Sequence, residues 1–290
     1  MFKFRYTPKD LYLILYVTFI GLIPFGMIYF QPSFIWWVVL FPFHMWGIVN
    51  AMNSSLHHHS HWPTFVNKKT NKVYEVYLSA ILGIPHQLWK WAHISHHCFV
   101  NDKPIDGKTK DPVSVFKDSK TDEPENFWHY CLTGPSGAIT YIKDIINIKQ
   151  YPKPMDQKQF EIEMNAYRIY MVTIMLIDWQ YGIWFWCLFF VAFFFNAATS
   201  YGEHWGVLDR RGDTTQDSIG IYSRWYNIVG FGAGYHQEHH NSMMTHWTKL
   251  HELTPKMHPN RKIVKSMHIF NNPYWSHFKA IIKTKLDKQS

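Results

Sequence analysis

Histidine is the residue this chain spends most unusually. There are 19, and many fall in tight groups: Leu56-His57-His58-His59-Ser60-His61, His93-Ile94-Ser95-His96-His97 and His236-Gln237-Glu238-His239-His240. A single His204 sits within Tyr201-Gly202-Glu203-His204-Trp205-Gly206. On a helix, residues three and four apart share a face. His57 and His61 then point the same way, with His58 and His59 as alternatives to His57. His93, His96 and His97 form an i, i+3, i+4 set, and His236, His239 and His240 repeat it. Neutral imidazole suits iron, zinc, copper and nickel, so ligand type does not choose the metal. A structural zinc ion takes four ligands. The set His57, His61, His93, His96, His97, His204, His236, His239 and His240 is too large for one ion and fits two. Soluble diiron bundles use Glu-x-x-His pairs, which this sequence lacks, as it lacks the His-Glu-x-x-His protease signature. A dimetal site here is therefore histidine-rich.

Other groups compete for roles. Asp106, Asp111, Glu203 and Glu238 are candidate acceptors that fix the tautomers of ligating imidazoles, or ordinary solvated charge. His44 lies in an apolar stretch, where an ionisable group is either functional or a hydrogen-bonded neutral ring. His86, His129, His246, His251, His258, His268 and His277 read as solvent-facing or structural. Cys98, Cys131 and Cys187 show no C-x-x-C spacing, and their odd number argues against a disulfide framework.

The elements that must position these histidines follow from charge. Mean hydropathy is −0.22, too polar on average for a membrane protein. The charges, however, are unevenly spread. Residues 11 to 67 hold no Asp, Glu, Lys or Arg, and residues 169 to 202 hold only Asp178. About 20 apolar residues cross a bilayer as a helix. The first tract is long enough for two crossings, turning at Gln31-Pro32-Ser33, and the second for two short ones, turning near Asp178-Trp179-Gln180. Trp36, Trp37, Trp179, Trp184 and Trp186 sit near the proposed ends, as interface anchors do. Residues 73 to 92 are apolar but interrupted by Glu75 and Pro85, and read as an interfacial or re-entrant helix. The aromatic run Phe189-Phe190, Phe193-Phe194-Phe195 reads as lipid-facing or packing surface, or as tunnel lining.

One membrane domain over residues 1–290 is therefore expected. It has a hairpin at 11–55, a polar segment at 56–166, a second hairpin at 167–203 and a polar tail at 204–290. The fold class is all-α and integral to the membrane, with four transmembrane helices in two hairpins and a cytosolic helical cap holding the dimetal site. Lys3, Arg5 and Lys9, the middle segment and the tail carry the positive charge, which places them in the cytosol. Four crossings bring every histidine group to that one face. No cleavable signal peptide is expected. The net charge of +8 suits an anionic membrane surface, and no nucleic-acid-binding motif accompanies it.

These groups resemble the three histidine boxes of membrane fatty acid desaturases and the related alkane hydroxylases. The first is similar to the family's H-x(3)-H, with Phe65 four residues on. His93-Ile94-Ser95-His96-His97, followed by a short polar stretch and Asp106, is similar to the second box. Gly234-Tyr235-His236-Gln237-Glu238-His239-His240 is similar to the third. Tyr201-Gly202-Glu203-His204-Trp205-Gly206 resembles the extra motif of alkane hydroxylases. Acyl desaturases often carry Asn four residues before that histidine, where this chain has Ser200. The resemblance spans roughly residues 40 to 255. It implies two iron ions, O2 as co-substrate, and attack on an unactivated C–H bond of a fatty acyl or alkyl chain. A fatty acid desaturase is the leading expectation. A fatty acid or alkane hydroxylase, or an alkene-forming fatty acid decarboxylase, is the alternative. Without a Gly-rich dinucleotide motif, a C-x-x-C pair or a haem signature, the electrons must come from a separate donor of ferredoxin, rubredoxin or cytochrome b5 type. The cytosolic-face site suits a bacterial inner membrane or the endoplasmic reticulum. The non-enzyme alternative is a membrane protein that binds zinc or copper.

Overall fold

The computed structural model describes residues 3–105, 109–117, 120, 124–133, 155–205 and 218–258. Asp106, His268 and His277 lie outside them. The described residues are helical, with isolated bridges and no β-strand among them. The chain divides into two compact units, each made of two stretches: 1–96 with 131–197, and 97–130 with 198–290.

The first unit begins with α1 (Asp10–Phe30), which ends where Gln31 turns left-handed at φ 40°. Helix α2 (Phe34–Ala51) follows. It continues through a π-helical turn (Met52–Leu56) into α3 (His57–His61). Phe34–His61 is thus one apolar rod of 28 residues. Helix α4 (Lys68–Leu82) starts at Asn67, whose side chain accepts from the N–H groups of Lys69 and Thr70. Helix α5 (His86–Cys98) follows after a break at Gly83 to Pro85. The apolar stretch 73–92 is therefore two helices. Gly83 caps α4 in the left-handed region at φ 72°, and Pro85 supplies no amide N–H for a continuing helix. Helices α6 (Gln157–Ile177) and α7 (Trp179–His204) meet at Asp178.

Among the described residues three helices are long and apolar enough to cross a membrane: Asp10–Phe30, Phe34–His61 and Trp179–His204. Helix α6 is not among them. Lys158, Glu161 and Glu163 occupy its first half and Arg168 lies just past its middle, so only its last nine residues are uncharged and largely apolar.

Small residues set how closely these helices approach. A Cβ on Gly47 would lie 2.4 Å from Ile20 Cδ1, and one on Gly21 would lie 2.7 Å from Ile81 Cδ1. The carbonyls at the same two places are taken up by tyrosines. Tyr16 donates to Gly47 O at 3.3 Å and Tyr170 to Gly21 O at 3.0 Å. Helix α4 packs along α6, and α1 lies against α2 and α4. Their shared core includes Val17, Ile48, Met52, Leu78, Phe185 and Phe189. Trp37 and Trp184 belong to this interior, each edge-on to the other at 5.6 Å and both against Tyr181. They are packing residues, and only Trp36, Trp179 and Trp186 of the five proposed anchors are exposed. The Phe189–Phe195 run is split likewise: Phe189 is buried, Phe190 and Phe195 are exposed.

The chain leaving α3 is pinned twice. Arg5 N–H donates to Thr64 O and Val66 N–H to Lys3 O. Buried Asn71 accepts from Phe65 N–H and donates to Phe65 O, both at 2.8 Å.

In the second unit the loop after α5 is organised by buried Asp111, which accepts from Asn101 N–H at 2.7 Å and Val113 N–H at 3.0 Å. Tyr201, fully buried near the end of α7, packs on Phe127 and Tyr130 and donates to Glu125 O. Helix α8 (Arg224–Val229) is capped by the Ser223 side chain, and α9 (His236–Asn241) follows a tight turn. That turn puts Phe231 and Gly232 at positive φ and passes Gly234 so near Ile221 O that a Cβ would sit 2.3 Å from it. A 3-10 turn (Trp247–Glu252) and α10 (Thr254–Met257) close the described tail.

Candidate metal centre

In the first unit α3 and the middle of α5 bring His57, His61 and His93 together. Each offers one ring nitrogen, and these lie within 4.8 Å of one another. The rings of His57 and His61 are 4.3 Å and 4.8 Å from that of His93. The tautomer of His57 follows from its neighbour. Its Nδ1 is 3.2 Å from Asn53 O, and a carbonyl only accepts, so Nδ1 carries the proton and Nε2 keeps the lone pair a metal needs. His58 lies against His57 and Trp62. His59 turns elsewhere, against Tyr74 and His86. Of the two ways of reading the first box, the geometry groups His57 with His61. His96 is buried one turn beyond His93 on α5, the two rings 6.0 Å apart.

In the second unit α9, the end of α7 and the end of α5 supply His236, His239, His240, His204 and His97. His204, His236 and His240 offer ring nitrogens within 4.8 Å of one another, and His97 pairs with His239. The Nε2 atoms of His204 and His236 are 3.2 Å apart, and those of His97 and His239 are 2.9 Å apart. At a metal–nitrogen distance of about 2.1 Å, two ligands at right angles sit about 3.0 Å apart, and two tetrahedral ones about 3.4 Å. These spacings fit shared ions. Sharing an ion requires both facing Nε2 atoms to carry lone pairs, with the ring protons on Nδ1.

The carboxylates proposed as supports divide. Glu203 Oε2 approaches His236 Nε2 at 3.6 Å. Glu238 is fully buried beside the third-box histidines and accepts from Tyr222 Oη at 3.2 Å. Asp111 instead orders its own loop and is linked to His204 through Asn101, whose amide donates to His204 O at 3.3 Å.

His44 is buried within α2, stacked on Phe185 at 5.4 Å, with neither ring nitrogen hydrogen-bonded among the described residues. His86 is also buried, with no exposed surface, beside Glu75 and Glu163. Its sequence reading as a solvent-facing or structural residue gave no hint of that neighbourhood. The signal available was small: Glu75 interrupts an otherwise apolar stretch, and Gln159 and Glu163 share a face of α6. Burial pushes the Glu163 carboxyl up to about 7, against the opposing pull of Gln87 N–H and the Gln159 amide. Burial also holds the His86 imidazole well below its ordinary range.

With the boxes placed, the comparison with known proteins is decisive: the fatty acid desaturase family model matches residues 35–269. The chain belongs to the fatty acid desaturase family. No curated protein and no solved structure matches it. The match covers α2 to the tail, so it takes in all three histidine boxes and His204. Family membership together with the apolar helices supports a membrane setting and a lipid substrate.

Proposed function

We propose that this desaturase-family protein is an O2-dependent diiron membrane oxidase that acts on an unactivated C–H bond of a long fatty acyl or alkyl chain, as a fatty acid desaturase. One observation carries the proposal. The histidines that a desaturase would use fold with their ring nitrogens facing one another, at 2.9 Å for His97 and His239 and 3.2 Å for His204 and His236. In this reading His57, His61, His93, His96, His97, His204, His236, His239 and His240 are the ligands. A bound iron pair supplies the redox chemistry that O2 and the donated electrons require.

The remaining work belongs to the chain. Asn53 O accepts from His57 Nδ1–H, which leaves the ring's lone pair on Nε2. Glu203 Oε2 lies 3.6 Å from His236 Nε2, beside the atom that would hold the ion, and Tyr222 donates to Glu238 beside the third box. Outer partners of this kind orient ligands and raise their basicity. The apolar helices exclude water and offer the lipid chain a dry route, with four crossings, α6 and α7 forming the second hairpin, and the boxes on the cytosolic face. Electrons come from a separate carrier of ferredoxin, rubredoxin or cytochrome b5 type. A hydroxylase is the second reading, favoured by Glu203-His204-Trp205 and by Ser200.

The test is iron content and whole-lipid mass spectrometry on cells expressing the wild type and a His236→Ala, His240→Ala double variant. The proposal expects about two irons per chain, from the two-ion ligand count, and a product two hydrogens lighter that the variant lacks. A product one oxygen heavier makes it a hydroxylase, and a volatile alkene one carbon shorter a decarboxylase. A wild type holding only zinc or copper, with lipids identical to the variant's, overturns the oxidase reading in favour of a metal-binding membrane protein.

A further inference from the structure

A second polar cluster lies within the first unit, apart from the histidine boxes. Glu75 of α4, His86 at the start of α5 and Glu163 of α6 each offer a ligand atom, all within 4.8 Å of one another. His86 and Glu163 have no exposed surface. Two carboxylates this close, Glu163 fully buried and Glu75 slightly exposed, repel each other and lose hydration, which favours a proton or a cation between them. Among the described residues Glu163 has no Lys, Arg or His within ion-pair distance. Lys72, one turn before Glu75, is committed outside to Asp156 at 2.8 Å.

The hydrogen bonds fix which nitrogens carry protons. Ser60 Oγ donates its one hydrogen to Leu56 O at 2.8 Å. Its 3.4 Å contact with His86 Nε2 must then be an N–H donation from the ring. The lone pair of His86 therefore sits on Nδ1, which is buried without any hydrogen-bond partner. His59 is arranged the other way. Its Nδ1 accepts from Thr64 N–H at 3.2 Å, so its Nε2–H faces Glu75 Oε1 at 3.8 Å. His59 thus turns an N–H, not a lone pair, toward Glu75, and is not a ligand. Glu163 is steadied in turn by Gln87 N–H at 2.8 Å and the Gln159 amide at 3.1 Å. Two oriented carboxylates and an unshared imidazole nitrogen make a ligand set for a borderline divalent ion, with charge balanced by the two carboxylates.

We propose that Glu75, His86 and Glu163 bind one divalent transition-metal ion, of which zinc is the type, separate from the ions of the histidine boxes. The ion fastens α4 and α6 to the first turn of the helix that carries His93, His96 and His97. Its role is structural, since His86 and Glu163 are fully buried and Glu75 is only slightly exposed among packed helices.

The experiment counts metal equivalents per chain on the detergent-purified, full-length protein. Wild type, Glu75→Gln, Glu163→Gln and His236→Ala/His240→Ala are compared. Glutamine keeps the shape and can still accept from Gln87 N–H, so packing is preserved. The proposal expects each Glu→Gln variant to hold one equivalent less than wild type, with its iron unchanged. It expects the histidine double variant to keep that equivalent and to lose it when Glu163→Gln is added. X-ray absorption at the zinc edge of the unmodified protein gives the same answer without any variant, and should report a mixed shell with one imidazole and carboxylate oxygens. Full wild-type metal content in Glu163→Gln, or a zinc edge with no such shell, overturns the site and leaves the carboxylates sharing a proton.

Discussion

Gly83→Ala tests whether the break between α4 and α5 is set by backbone conformation. Gly83 sits at φ 72°. Placing an L-residue there costs about 1–2 kcal/mol. The new Cβ would also lie 2.7 Å from Phe189 Cε1 and 2.8 Å from Cδ1. That ring has little room to yield. It is buried, 4.7 Å from Phe185 and 5.9 Å from Tyr167. Overpacking of a filled core costs about 1–3 kcal/mol. Alanine returns roughly 0.4–1 kcal/mol by restricting the unfolded chain. The net loss is then about 1–4.6 kcal/mol, a drop of about 2–14 °C in thermal midpoint at some 2–3 °C per kcal/mol for a chain of this size. Thermal inactivation of the purified protein in detergent measures it. Adding Phe189→Leu should recover the steric part and leave the backbone part, about half. If Gly83→Ala matches wild type in midpoint, the left-handed turn is not what ends α4, and the reasoning fails.

Other changes separate strong contacts from weak ones. Asn71→Ala removes both hydrogen bonds to Phe65 behind the first box and should destabilise by about 2–3 kcal/mol, read in the same thermal assay, with Asn71→Asp recovering only the accepting half. Tyr222→Phe leaves Glu238 without its hydroxyl donor and should weaken metal retention about 10–100-fold, measured as iron remaining after timed chelation. Lys72→Ala removes a solvent-exposed ion pair with Asp156 and should cost less than about 1 kcal/mol. Because Lys72 and the Gln159 N–H hold the Asp156 carboxyl below its usual range, that small contribution is present above the ordinary carboxylate range and disappears as pH falls through the depressed value. A stability titration of wild type against Lys72→Ala should therefore converge in acid.

Charge distribution made the membrane helices legible, because a stretch from residue 11 to 67 without a charge has few other uses. The turn at Gln31 to Ser33 and the joint at Asp178 followed from it, and both fall between helices. Helix α6 was harder. Its apolar second half looked like a short crossing, but the helix begins at Gln157, and its charged first half faces α4 through Gln159 and Glu163. Tryptophans near helix ends look like interface anchors whether or not they face lipid, and Trp37 and Trp184 face each other. Histidine spacing located the three boxes. It could not locate the Glu75, His86 and Glu163 cluster, whose members are far apart in sequence and meet only because α4 packs on α6.

The first box shows why spacing alone leaves ambiguity. His57, His58, His59 and His61 follow a π-helical turn at Met52–Leu56. A π-turn behaves as a one-residue insertion into an α-helix and is frequent at functional sites. Each added residue rotates everything beyond it by about 100° relative to the helix before it, from 3.6 residues per turn. In an unbroken α-helix of the same sequence, Leu56 and Ser60 would stand at the positions held by His57 and His61. The metal-facing pair would then contain no imidazole at all. The same turn supplies Asn53, whose carbonyl fixes the His57 tautomer, and Ser55, whose hydroxyl reaches back to Leu13 O at 3.3 Å. Helical periodicity identifies His57 and His61 as partners. It is the π-turn that decides which way the pair faces, and a periodicity read from the sequence has no means of marking it.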